Sequence, residues 1–258
     1  MFVKWNLVFK TLPVVAIVLA LVLIRDHLLQ AKGVIEFSDI SPLLSALALI
    51  AGFMLAGVLA DYKESEKIPG EIATTLETIG DTVQVVIALN KEVDISRFEP
   101  SYRTLVATVE DWFMRRIEVD RCYAVLEDFR TVVTKMHSAA GVNYTIRGLA
   151  ETHNLRRLIT RVDVITRTSF IPVGYALLHL LVATTLILLL ISNYRSPIAE
   201  YSLIALFSMI YSYLVLLIRD LDTPFDYATE GKTGGSAEVD PYPLQAYRQR
   251  YESTSSKQ

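Results

Sequence analysis

The chain has 258 residues, 52% of them hydrophobic and 21% charged, with a net charge of −3 and a mean hydropathy of +0.36. It is too apolar for an ordinary soluble chain, and the charged residues imply a soluble part beside membrane spans. One cysteine, Cys122, excludes an internal disulfide framework and a thiolate metal cluster, and no basic face with interleaved aromatics is present to bind nucleic acid.

The N-terminal stretch carries two lysines before an uncharged run of 14 residues, Thr11 to Ile24. That length also suits a signal-peptide core, but no small-residue cleavage pattern follows. With Leu7 to Phe9 upstream and Leu28-Leu29 downstream, residues 7–29 are predicted as a first span, with Lys10 snorkelling. Residues 30–40 are expected to form a short external connection. From Ile40 to Ala60 there are 21 positions without a charge, enough to cross a bilayer core of ~30 Å as a second span, residues 40–60.

Two ridges run down this second span at i, i+4 spacing. Ala48, Gly52, Ala56 and Ala60 make a ridge of small side chains that lets another helix approach closely. Ser45, Leu49, Phe53, Gly57 and Asp61 make its neighbour, with bulk in the middle and a carboxylate at its end. The second ridge can face lipid, another helix or a pore. The charge run from Asp61 to Lys67 reads either as a solvated helix face or, in a ring of subunits, as a ring of carboxylates. Such a ring concentrates cations and opposes anions, with Glu64 and Glu66 adding to it or pairing with Lys63 and Lys67.

Residues 61–167 are polar but periodic and predict a helical domain. Apolar positions from Ile72 to Ile87 recur at spacings of three and four. Glu99-Pro100 marks a boundary, and one helix is expected over Tyr102 to Met136, followed by a turn at His137 to Thr145 and a last helix through Val162. No strand alternation is present. A charge-free run of 27 residues, Thr168 to Tyr194, supplies the third span, residues 169–194. After a tight external hairpin over Asn193 to Glu200, the 18 uncharged residues Tyr201 to Ile218 supply the fourth, residues 198–218. Residues 219–258 read as an extended tail whose PLQAYRQRYE segment can form a short docking helix. With the chain starting inside, 22 of the 25 Lys and Arg residues lie inside and 3 outside, so both termini and the central domain are expected to be cytosolic.

Chemistry-bearing patterns are sparse. His27, His137, His153 and His179 fall at no metal-ligand spacing. His179, within a span, can act as a proton relay, though a neutral, hydrogen-bonded histidine packed between helices is the commoner fate. Gly231-Lys232-Thr233 lacks the upstream glycine and strand of a phosphate loop and is rejected. Asn143-Tyr144-Thr145 matches a glycosylation sequon on the wrong side of the membrane. No nucleophile elbow or kinase set occurs, so no catalytic residue, metal or cofactor is expected and the chain does not read as an enzyme.

The segment GFMLAGVLADYKESEKIPGE resembles the second transmembrane helix of the bestrophin-like membrane proteins, which carries a mid-membrane Gly-Phe and runs into a tyrosine- and charge-rich stretch. Asp222-Thr223-Pro224-Phe225-Asp226 is similar to the Asn-Pro-Phe-Gly stretch after the last span in that family. The order of parts also matches: two spans, a helical domain, two spans and a tail. The resemblance implies an all-α integral membrane protein with four transmembrane helices and a helical cytosolic domain between the pairs. It also implies a homo-oligomer, a pentamer, in which five copies of the second helix surround a pore for inorganic ions. The neck positions fall on Ser45, Leu49 and Phe53, where Ser45 departs from the apolar pattern, and the pore mouth falls on Gly57, Asp61 and Glu64. Animal members carry a calcium-clasping acidic run after the Pro-Phe turn; Tyr227-Ala228-Thr229 stands there instead, so calcium gating is not implied. Pro224 and Phe225 are expected to dock the tail on the cytosolic domain. The nearest likeness is to the bacterial bestrophin-like domain proteins, which points to the inner membrane and contact with its lipid bilayer. Asp61 leans the expectation toward cations, against the chloride selectivity of animal bestrophins. The rival expectation is a non-conducting membrane scaffold or sensor that acts through its cytosolic helices, with Leu49 and Phe53 serving only as packing or lipid contacts.

Overall fold

A computed structural model describes residues 5–30, 33–89, 97–135, 141–168, 172–227 and 237–255. The chain divides into two compact units. The first comprises Met1–Tyr62, Ser169–Pro224 and Gly235–Ala237, and the second Lys63–Thr168, Phe225–Gly234 and Glu238–Gln258.

The first unit is built on four helices: α1 (Asn6–Leu23), α2 (Phe37–Ser65, whose last residues enter the second unit), α7 (Pro172–Leu190) and α8 (Pro197–Asp222). They belong to four helical stretches long and apolar enough to cross a membrane. Only 17% to 28% of the residues in their apolar windows are buried within the protein. Leucines and isoleucines facing outward in water would each forfeit roughly 1.5–3 kcal/mol of burial, so this outer surface suits lipid. Inside, α1 packs on α7 and α8. Leu44, Leu47, Ala51, Met54 and Val58 of α2 form a buried seam with Leu178, Tyr211, Ile218 and Leu221. The Tyr211 hydroxyl satisfies itself in this apolar setting by donating to the Leu44 carbonyl at 3.0 Å.

Beyond α1 the backbone continues as a π-helical turn, Ile24–Leu28, closed by the i→i+5 bond from Leu29 N to Ile24 O at 3.0 Å. The connection that follows is more ordered than the sequence suggests. Ile35–Glu36 (β1) pairs in parallel with Ser192–Asn193 (β2), and α2 starts at Phe37. For the same reason α7 stops at Leu190, short of the uncharged run, whose end turns into β2. The fourth helix gains a turn at its end and runs to Asp222. Its start is fixed by Ser196, whose hydroxyl accepts from Ala199 N at 3.2 Å ahead of Pro197. Gly33 allows the β1–β2 approach: a Cβ there would lie 2.5 Å from the carbonyl carbon and oxygen of Ser192. Because both obstacles are backbone, Gly33→Ala is expected to lower stability by about 1–3 kcal/mol, read as a drop in thermal midpoint of the detergent-solubilised protein.

The second unit holds α3 (Ile68–Leu89), α4 (Phe98–Phe113), α5 (Val119–Lys135), α6 (Val142–Arg167) and α9 (Tyr242–Ser255). The single helix expected over Tyr102 to Met136 is two helices. The chain reverses at Met114–Glu118, where Arg115 adopts a left-handed conformation, φ 59°, and Arg116 N reaches back to Asp111 O at 2.8 Å. Trp112, Phe113, Met114 and Val119 are all buried around this turn. Folding α4 back on α5 puts both apolar stripes into one core, which a continuous helix could not do. Ile72, Leu76, Ile79 and Val86 of α3 and Leu155, Leu158, Ile159 and Val162 of α6 are buried, whereas Val85 and Ile146 are exposed. The PLQAYRQRYE segment forms most of α9 and packs on α3 and α4. The Tyr102 hydroxyl, buried beneath it, meets the Leu76 carbonyl and the Tyr247 hydroxyl, each at 2.5 Å.

Candidate functional site

The buried seam on α2 leaves its opposite side outward. Leu49 is 59% and Phe53 69% exposed; Ser45 and Asp61 are exposed and Gly57 is half-buried. The neighbouring ridge of Ala48, Gly52, Ala56 and Ala60 is exposed as well, and a Cβ built on Gly52 would touch nothing within 4 Å. Both ridges therefore lie on one uncovered face, running ~24 Å from Ser45 to Asp61 at 1.5 Å per residue. The polar end group at the top of the ridge is muted, because Ser45 Oγ donates to the Ser41 carbonyl of its own helix at 3.2 Å.

Glu64 is separated from this face in its chemistry. Arg161 grips it with both arms of its guanidinium, Nε to Oε1 at 3.0 Å and Nη2 to Oε2 at 2.9 Å, a bidentate geometry that fixes the carboxylate and offsets its charge. Of the pairings the charge run allowed, Lys63 with Glu66 is formed, at 2.6 Å, while Glu64 takes Arg161 instead of a neighbouring lysine. Residues three and four apart do meet on a helix, but the planar fork of Arg161 wins over the adjacent ammonium groups.

Phe225 is 2% exposed and meets Phe113 edge-on at 5.6 Å between ring centroids, and Tyr227 also meets Phe113, at 5.9 Å. Arg115 Nε donates to the Phe225 carbonyl at 3.3 Å, and the Tyr227 hydroxyl donates to the Val239 carbonyl at 2.8 Å. Pro224, just before, is buried. Ala228 and the Gly231-Lys232-Thr233 triplet lie outside the described residues, as does His137.

His179 is exposed rather than packed between helices. Its Nδ1 lies 2.7 Å from the Tyr175 carbonyl one turn earlier. Among the described residues no group of three or more His, Cys, Asp and Glu side chains is placed to hold a metal ion. Cys122 is fully buried, and that burial pushes its thiol up to about 12. Since the thiolate is the reactive form, a maleimide at pH 7.5 is expected to leave Cys122 unlabelled in the native protein and to label it fully in denaturant, as read by mass spectrometry.

One charged cluster has no counterpart in the sequence reading. Arg25, on the π-helical turn, donates to Asp26 Oδ1, to Glu200 Oε1 and to the Leu190 carbonyl, and the Tyr201 hydroxyl donates to Asp26 Oδ2 at 3.1 Å. Arg25 and Glu200 keep only 14% and 15% of their side-chain surface exposed. The signal was the presence of Arg25, Asp26 and Glu200 at the margins of apolar runs; their pairing across 175 positions left no local trace.

No family model and no curated protein matches the chain in sequence. Solved structures do. A bacterial bestrophin homolog from Klebsiella pneumoniae superposes with a TM-score of 0.71 at 14% identity, covering 95% of both chains. A single-residue variant of the Klebsiella pneumoniae homolog gives 0.70 at 12% identity, over 95% of this chain and 97% of its own. A variant of a protein described as a membrane protein gives 0.70 at 11% identity, over 97% of both. Near-complete coverage in both directions means that the likeness extends to the order of the elements and is not confined to one helical hairpin. The chain has the bestrophin fold.

Proposed function

We propose that the protein is an ion channel formed by a ring of identical subunits, five in number, with α2 lining the pore. Leu49 and Phe53 form an apolar neck with Ser45 on its outer side, and Gly57 and Asp61 lie at the mouth. The observation that carries this reading is the uncovered face of α2, with Phe53 69% exposed although the reverse of the same helix is the core of its unit. Exposed apolar side chains alone suit lipid. What favours a pore is the pairing of ridges: small residues let neighbouring copies approach, while the adjacent ridge ends in an ionisable carboxylate, a costly group to turn toward hydrocarbon. The bestrophin channels that the sequence resembles arrange five such helices around a pore. An apolar constriction of this kind gates by dewetting, so conduction needs no cofactor. The membrane is a bacterial inner membrane, with both termini cytosolic.

Asp61 on each subunit favours cations over anions, and the charge of Glu64 is offset by Arg161. The test is ion flux in liposomes containing the purified protein, with potassium and chloride gradients imposed separately. Potassium-selective flux that loses selectivity in Asp61→Asn is the expected result. Absence of flux from a well-folded oligomer would leave the scaffold reading in its place.

A further inference from the structure

A cavity of about 640 Å³ opens in the second unit between α3, α4 and α9, within the ~300–1,000 Å³ range of small-molecule sites. Among the described residues three carboxylates line it, Glu77, Asp81 and Glu99, against two guanidiniums, Arg103 and Arg250, leaving one negative charge in surplus among them. Glu77 lies 3.5 Å from Arg250. Glu99 accepts from the Tyr251 hydroxyl at 2.6 Å and lies 3.7 Å from Arg103. Asp81 differs: among the described residues it has no hydrogen bond or ion pair, and it is exposed to the cavity.

The tyrosines beside Asp81 cannot serve it as donors without breaking existing bonds. Tyr102 and Tyr247 share a hydroxyl–hydroxyl contact, and Tyr102 also bonds the Leu76 carbonyl. Burial pushes the Tyr247 hydroxyl up to about 12, and the negative charges of Glu77 and Asp81 act in the same direction. The phenol therefore stays neutral at physiological pH. Tyr247 and Tyr251 stack with centroids 6.4 Å apart, so the wall of the cavity next to the carboxylate is aromatic. An aromatic wall beside an uncompensated carboxylate attracts a cation by both the ring quadrupole and the full charge.

We infer that this cavity binds an organic monocation with an apolar body, its nitrogen against Asp81 and its body against the half-buried Tyr251, behind which Tyr247 is buried. An anion is disfavoured by the surplus negative charge, since both arginines are already engaged. Among the described residues the carboxylates do not converge closely enough to hold a metal ion. Because α9 supplies one wall and α3 and α4 the others, the bound cation also ties the C-terminal helix to the bundle.

Isothermal titration of the purified full-length protein in non-ionic detergent tests this, with benzyltrimethylammonium as the probe. Phenylmethanesulfonate, of similar shape and opposite charge, controls for partition into the micelle. Saturable binding of the ammonium at one site per chain is expected, weakened at least tenfold in Asp81→Asn and unchanged in Asp128→Asn, an exposed carboxylate on α5. Neither side chain is buried, so both variants retain the fold. Absence of saturable binding, equal binding of the sulfonate, or an affinity indifferent to Asp81→Asn would overturn the inference. Ion flux plays no part in this readout, so its outcome bears on the cavity and leaves the pore reading untouched.

Discussion

Phe53→Ala is expected to raise ion flux through reconstituted vesicles by about tenfold, the factor that follows from removing ~1.4 kcal/mol of barrier. The phenyl ring narrows and dries the proposed neck, and its loss admits water, which lowers the cost of passing an ion through an apolar constriction. Stability should hardly change. Phe53 is 69% exposed in the protomer, so truncation leaves no internal cavity, and such surface changes usually stay within about 0.5 kcal/mol. The adjacent residue gives the internal contrast. Met54 is 8% exposed in the α2 seam, and Met54→Ala should cost about 2–5 kcal/mol through the cavity it opens. A flux assay paired with thermal unfolding separates the two. Unchanged flux in Phe53→Ala, with the oligomer intact, would remove Phe53 from the neck and favour a lipid-facing role for this ridge.

Phe225→Ala should destabilise the protein by about 3–5 kcal/mol and expose its C-terminal segment to protease. Its ring is 2% exposed and packs against Phe113. The backbone consequence adds to the side-chain loss, because the Arg115 bond to the Phe225 carbonyl depends on the turn staying seated. Phe225→Leu, which keeps most of the apolar volume, should recover more than half of the loss. Limited proteolysis followed by mass spectrometry reads the release of residues after the turn, and thermal unfolding reads the energy. A tail equally resistant in Phe225→Ala would show that α9 and Tyr227 hold it without Phe225.

Where the physics is local or set by the bilayer, the sequence by itself was decisive. A lipid core tolerates neither charge nor unpaired backbone, so long charge-free runs marked the membrane helices, although their ends shifted by several residues. Helical periodicity alone placed Ser45, Leu49, Phe53, Gly57 and Asp61 on one ridge of α2, and the PLQAYRQRYE segment read as able to form a docking helix is most of α9. The partnerships between distant residues belonged to the tertiary structure. Arg115 takes a left-handed turn that glycine or asparagine would ordinarily announce, because burial of Phe113, Met114 and Val119 rewards the reversal. Glu64 meets Arg161 across 97 positions, and Arg25 meets Glu200 across 175. Asp81 faces aromatic rings supplied in part by the C-terminal helix. Helix periodicity reports which face a residue occupies. Which side chain waits opposite is decided only when the helices pack, since that choice depends on distances the linear order does not contain.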